Sequence, residues 1–361
     1  MNKIPIKTYK FNDNAFTSFA YNSEKNEIYA ITDKWLLIRI DCESFEAQYL
    51  FPDLGQDYLE GVVARKSWCN GKDVVYVSYK GDKFIIYNIE NNTIREELID
   101  NKDSVLNIKT DNVLDLVDYG SFLYLFISSD SLIVKIDKNS WKIIEIIKAD
   151  FSFNKAKAVF YKGKEYLIFN RNKIARVFNF STEQFDEIDI NIELENLQCL
   201  YVYEKQIYML SNSGEIASCD LLGNSEHYNI GGKENDFSII VRAGGRLWLF
   251  PLLGNNIYYL QDNEISLFEE YDEDFSYYAD RDWFLIGSKF FNYIETEKTI
   301  FFPARMTNCM ITLDKKNGNL SFHKILFSDK KPLIKQKLIE NNIVKEGEYD
   351  ITIKDYLSFM Q

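Results

Sequence analysis

The segment Ile133-Val134-Lys135-Ile136-Asp137-Lys138-Asn139-Ser140 decides how this chain is read. Two apolar residues, a variable one, an apolar one and then Asp or Asn form a short strand that ends on a turn former. The same pattern stands at Leu37-Ile38-Arg39-Ile40-Asp41, Phe84-Ile85-Ile86-Tyr87-Asn88 and Met310-Ile311-Thr312-Leu313-Asp314. Weaker copies are Ala175-Arg176-Val177-Phe178-Asn179, Ile216-Ala217-Ser218-Cys219-Asp220 and Ile257-Tyr258-Tyr259-Leu260-Gln261. The closing residues, at 41, 88, 137, 179, 220, 261 and 314, are spaced 47, 49, 42, 41, 41 and 53 apart.

Each copy keeps the same surroundings. An apolar strand precedes it, as in Glu27-Ile28-Tyr29-Ala30-Ile31, and a polar turn and another short strand follow it. The Asp or Asn is therefore assigned to the end of the third strand of a four-stranded unit, opening the turn to the fourth by bonding local backbone. Ile40, Ile136 and Leu313 occupy one position of this unit and are expected in the core.

Seven such units of about 40–50 residues resemble the β-propeller superfamily over roughly residues 12–327. The resemblance implies an all-β, seven-bladed β-propeller, with six blades and one odd hairpin as the alternative. No Trp-Asp pair closes the third strand as in WD40 repeats, and the Asp boxes of sialidases are missing. Only Gly244-Gly245, with Leu247-Trp248, looks kelch-like. The pattern is most similar to the divergent propellers of bacterial genomes, which implies no particular activity. Residues 4–11 resemble a strand that closes the ring by joining the last blade.

After Phe327 the pattern changes. The propeller domain is placed at 1–329 and a helical extension at 330–361. Ser328 or Asp329 caps a first helix near Pro332 to Asn341. Ile353, Tyr356, Leu357 and Met360, with Thr352 and Asp355 in capping-box order, form the apolar stripe of a second helix, a candidate docking stripe.

Composition bounds the function. Of 361 residues, 46% are hydrophobic, enough for a large core. No apolar run is long enough to span a bilayer, and the N-terminal residues lack a secretory apolar stretch, so a cytoplasmic location is expected. Five dispersed cysteines without CxxC spacing fit a reducing compartment better than disulfides or zinc. A net charge of −13 disfavours nucleic acid. Neither a cofactor nor a metal is expected. The only histidines, His227 and His323, fall on the last strands of their units, a poor position for a general base. Glu60 and Asp115 fall early in innermost strands and could together favour a hard cation.

The acidic charge is concentrated. The loops joining each fourth strand to the next first strand (52–57, 100–111, 148–154, 191–195, 231–236 and 271–283) hold 15 acidic against 5 basic residues. Lys34, Lys80, Lys83, Arg171, Lys173 and Arg305, in the loops joining second to third strands, partly offset them. In the last of the acidic loops, Asp272, Asp274, Asp280 and Asp282 interleave with Tyr277, Tyr278 and Trp283. Carboxylates steer a basic partner and rings supply contact area. These residues, with Arg305, are the candidate site for a protein or peptide. The chain reads as a non-enzymatic scaffold. The alternative is a lactonase-, lyase- or hydrolase-type propeller enzyme acting on a small polar or sugar-like molecule.

Overall fold

The computed structural model describes residues 16–32, 37–50, 64–78, 83–98, 113–128, 131–153, 156–162, 165–169, 174–189, 194, 197–211, 214–220, 224–229, 237–251, 257–269, 292–304 and 309–327. All regular structure among them is β. The first sheet contains β1 (Phe16–Asn22), β2 (Glu27–Thr32), β3 (Leu37–Asp41) and β4 (Glu46–Leu50). The second contains β5 (Ala64–Cys69), β6 (Asp73–Ser78), β7 (Lys83–Asn88) and β8 (Thr93–Leu98). The third contains β9 (Val113–Tyr119), β10 (Phe122–Ile127), β11 (Leu132–Asp137) and β12 (Ile143–Lys148). The fourth contains β13 (Lys157–Lys162), β14 (Glu165–Phe169), β15 (Ile174–Asn179) and β16 (Gln184–Asp189). The fifth contains β17 (Leu197–Tyr203), β18 (Gln206–Ser211), β19 (Glu215–Cys219) and β20 (Ser225–Asn229). The sixth contains β21 (Phe237–Ala243), β22 (Arg246–Pro251), β23 (Tyr258–Gln261) and β24 (Glu264–Leu267). The seventh contains β25 (Ile294–Glu295), β26 (Thr299–Pro303), β27 (Cys309–Asp314) and β28 (Leu320–Lys324). Each sheet keeps sequence order, so consecutive strands are neighbours. This is the seven-bladed β-propeller class.

Every expected strand-closing residue ends the third strand of its sheet or, for Asp220, directly follows it. The local chemistry is the one anticipated. Oδ1 of Asp41 accepts the amides of Glu43 and Ser44, at 2.9 and 2.7 Å. Asp137, Asn179 and Asp314 accept the equivalent pairs. Four residues after the closing residue the chain turns left-handed, at Phe45, Asn92, Trp141, Glu183 and Gly318. For four of them (Phe45, Trp141, Glu183 and Gly318), the amide at this position returns to the carbonyl of the closing residue.

Packing follows the alternation of the strands. Ile40, Ile136 and Leu313 are fully buried, as expected. Between the first and second sheets lie Tyr29, Ile31, Val74 and Tyr76. Between the third and fourth the filling is aromatic, with Tyr124, Phe126, Phe153, Tyr166, Phe178 and Phe180 in one cluster. Between the fourth and fifth, Leu167 and Val177 meet Ile207 and Met209.

Gly244-Gly245 makes the two-residue turn between β21 and β22, both residues having positive φ. The Gly244 amide donates to the Lys315 carbonyl at 3.0 Å. A Cβ on Gly244 would stand 2.3 Å from the Gly318 nitrogen, so the pair serves close backbone approach.

A further strand, β29 (Leu326–Phe327), pairs parallel with Glu46 and Ala47 on β4 as the fifth strand of the first sheet. Ile325, fully buried, precedes it, and Phe327 stacks on Tyr49. The extra strand described here thus comes from the C-terminal side. The proposed closing strand at 4–11 lies outside the described residues, as does the helical extension. The described parts of the second and seventh innermost strands begin at Ala64 and Ile294.

Candidate functional site

Asp272, Asp274, Tyr277, Tyr278, Asp280, Asp282, Trp283 and Arg305 lie outside the described residues, as do Ile353, Tyr356, Leu357 and Met360. What the structure gives is the framework on either side of the acidic loop. On the entry side, the buried Phe268 donates its amide to the Ile257 carbonyl at 2.9 Å and sets its ring edge-on to Trp248. Trp248 is itself tied to the Ala243 carbonyl through its indole N–H. Glu269, next along, is exposed. On the exit side comes Tyr293, 6.1 Å from the ring of Phe302. Burial, with the nearby Cys199, Glu295, Tyr201 and Asp115, pushes its hydroxyl well above the ordinary range and keeps it protonated. The buried Ala304 donates its amide to the Cys309 carbonyl at 3.0 Å.

One loop of the acidic set is described almost in full. In residues 148–154, Phe153 is fully buried and its amide bonds Oγ of Ser131 at 3.0 Å. The Ala149 amide bonds the Ser131 carbonyl at 2.9 Å, and the Phe151 ring meets Phe185 edge-on. Asp150 and Ser152 remain exposed. The loop therefore sorts its residues, rings inward and carboxylate outward. Phe153 belongs to the aromatic core between the third and fourth sheets. Leu194, in the 191–195 loop, also packs inward.

Two carboxylates of the innermost strands, Asp115 and Glu295, are hydrogen-bonded to other side chains. Asp115 on β9 accepts the Tyr166 hydroxyl at 2.5 Å and the Leu116 amide at 3.0 Å. Desolvation and the adjacent carboxylate hold Tyr166 protonated, which suits its role as donor. Glu60, the other half of the anticipated cation pair, lies outside the described residues. Glu295 accepts the Tyr201 hydroxyl at 3.3 Å and Lys315 at 2.7 Å. Among the described residues no group of three His, Cys, Asp or Glu side chains is arranged to hold a metal.

The five cysteines are free. Burial pushes the thiols of Cys42 and Cys219 up to about 12, and those of Cys69 and Cys199 also upward, so the nucleophilic thiolate is disfavoured. His227 is exposed on β20. His323 on β28 stacks on Phe45 with ring centres 4.0 Å apart, and burial lowers its pKa. Both sit on fourth strands, as expected.

A contact that the sequence pattern missed joins the third and fourth sheets. Glu183, held left-handed in its turn, accepts Oη of Tyr124 at 2.7 Å and pairs with Lys135 at 2.5 Å. Lys135 also lies 4.3 Å above the Phe122 ring. The only sequence trace of this contact is its place, four residues beyond Asn179.

No protein-family model matches the sequence, and no curated protein matches it. Solved structures do match. A catalytically inactive virginiamycin B lyase from Staphylococcus aureus, with quinupristin, superposes with a TM-score of 0.59 at 12% identity, over 83% of this chain and 98% of that one. The WD40 β-propeller domain of Doa1 gives 0.55 at 11% identity, over 85% and 95%. BamB from Moraxella catarrhalis gives 0.52 at 8%, over 86% and 85%. At these identities the likeness is one of fold.

Proposed function

We propose that this chain is a non-enzymatic scaffold that binds a protein or peptide with a basic surface through the acidic, aromatic-rich loop at 271–283, assisted by Arg305. The observation that carries the reading is the sorting in the 148–154 loop, where rings anchor the chain and the carboxylate faces water. Applied to 271–283, the same sorting leaves Asp272, Asp274, Asp280 and Asp282 to attract a cationic partner. Tyr277, Tyr278 and Trp283 then supply more rings than one short loop needs for anchorage, and the surplus is contact area. Five free thiols, four of them disfavoured as thiolates, fit a reducing, cytoplasmic setting.

Among the described residues, two carboxylates that the enzyme alternative could draw on, Asp115 and Glu295, are bonded to Tyr166, Tyr201 and Lys315. The test is affinity purification of the tagged protein from its host beside a variant with the four aspartates changed to Asn. A basic protein retained by the first and lost by the second supports the reading. An acidic partner, or equal retention, overturns it.

A further inference from the structure

We propose that β12, the outermost strand of the third sheet, is a docking edge for an extended peptide, apolar at its centre and acidic at its flanks, which adds to the sheet as a fifth strand. A free edge presents unpaired backbone groups, and proteins usually blunt it with charge. Three of the other outer strands follow that rule, β8 with Thr-Ile-Arg-Glu-Glu-Leu, β16 with Gln-Phe-Asp-Glu-Ile-Asp and β20 with Ser-Glu-His-Tyr-Asn, whereas β24, Glu-Ile-Ser-Leu, leaves Leu267 40% exposed. β12 reads Ile-Ile-Glu-Ile-Ile-Lys, and among the described residues its one strand partner is β11.

Ile144 is 54% exposed, more than any other large hydrophobic residue described. It sits where the register with β11 shifts between Lys135 and Ile136. A bulge commonly protects an edge, but this one presents an isoleucine to solvent.

The same fold shows that an outermost strand accepts a guest. β29 adds to β4 in parallel, through a short apolar segment. The charge around β12 defines its guest further. Lys142 and Lys148 are exposed at the two ends of the strand, and Glu145, its one acidic residue, is exposed between them at the position opposite Lys135. An extended peptide along this edge would meet a cation near each end and isoleucines between them, the strand-addition mode of recognition with acidic flanks.

The experiment is selection from a displayed library of random nine-residue peptides on the full chain, followed by fluorescence anisotropy of the enriched peptides. Two variants are measured beside the wild type: Ile144→Asp, and Lys142→Glu with Lys148→Glu. Thermal melts check that both remain folded, and should the first unfold, the second carries the test. The expected result is a set of peptides with alternating apolar residues and acidic ends, each bound at least tenfold more weakly by the variants. The proposal is overturned if no peptide is enriched over an unrelated bait, if the enriched peptides lack acidic ends, or if they bind the variants unchanged. It is also overturned if the wild type forms a dimer that Ile144→Asp abolishes, because the occupant is then a second copy.

Discussion

Ile136 and Gly244 show two ways in which single residues hold a blade. Ile136 is fully buried, so Ile136→Ala removes methylenes into a packed interior and is expected to cost about 2–4 kcal/mol in denaturant unfolding. Gly244→Ala fails differently. Its φ of +58° already disfavours a side chain, and the new Cβ collides with the backbone of Asn317 and Gly318. About 2–4 kcal/mol is expected here too, while Gly245→Ala, with open space around it, pays only for its conformation. His323 adds a pH effect of definite sign. Burial lowers its folded pKa below the unfolded value of about 6.5. Its contribution is therefore complete above that pH and is lost as the unfolded chain takes up a proton below it. His323→Phe, which keeps a ring on Phe45, should flatten the fall in melting temperature between pH 7 and pH 5. An unchanged slope would mean that other groups govern it.

At the scale of the element, the turn between third and fourth strands is the most reusable part of the fold. Its closing Asp or Asn gathers two amides, and the left-handed residue four positions later projects to a neighbour: Phe45 to His323, Glu183 to Tyr124 and Lys135. In the seventh sheet this position is Gly318, because the backbone at Gly244 occupies the space. Asp137→Asn should preserve the turn, as Asn88 and Asn179 do naturally, and Asp137→Ala should lower the melting temperature. Glu183 makes its turn acid-sensitive. Burial opposes its charge, but the hydrogen bonds from Lys135 and Tyr124 prevail and lower its pKa. The stability it adds is present above the unfolded carboxylate value and is lost as pH falls through the folded one. The stability gap between wild type and Glu183→Gln should therefore close between pH 6 and pH 3. These turns were legible because their chemistry is local: Asp137 and its amide donors lie within three residues. The pairing of β29 with β4 was not. Leu326 and Glu46 are distant in sequence, and a two-residue parallel ladder leaves no periodic trace. The Tyr166–Asp115 bond was hidden for the same reason, because it joins strands of different sheets.

Over the whole molecule, seven imperfect copies were enough to state the architecture, since each copy confirms the period of the others. Function had no such redundancy. Each blade differs in its loops, and the acidic and aromatic residues of 271–283 occur once. Their interleaving still carries a physical expectation that separates two roles. Rim carboxylates act on encounter through a field that salt screens over about 8 Å at physiological ionic strength. A central ring acts on dissociation, so Trp283→Ala should speed it by the equivalent of about 2 kcal/mol or more. The most direct measurement of the scaffold account is the association rate of the captured partner, followed across salt concentrations, for wild type and for the variant with Asn at 272, 274, 280 and 282. The account predicts slower association and a flatter salt dependence for the variant, with dissociation little changed. Identical association rates and salt slopes for the two proteins would contradict it, and would leave the acidic charge a role in solubility alone.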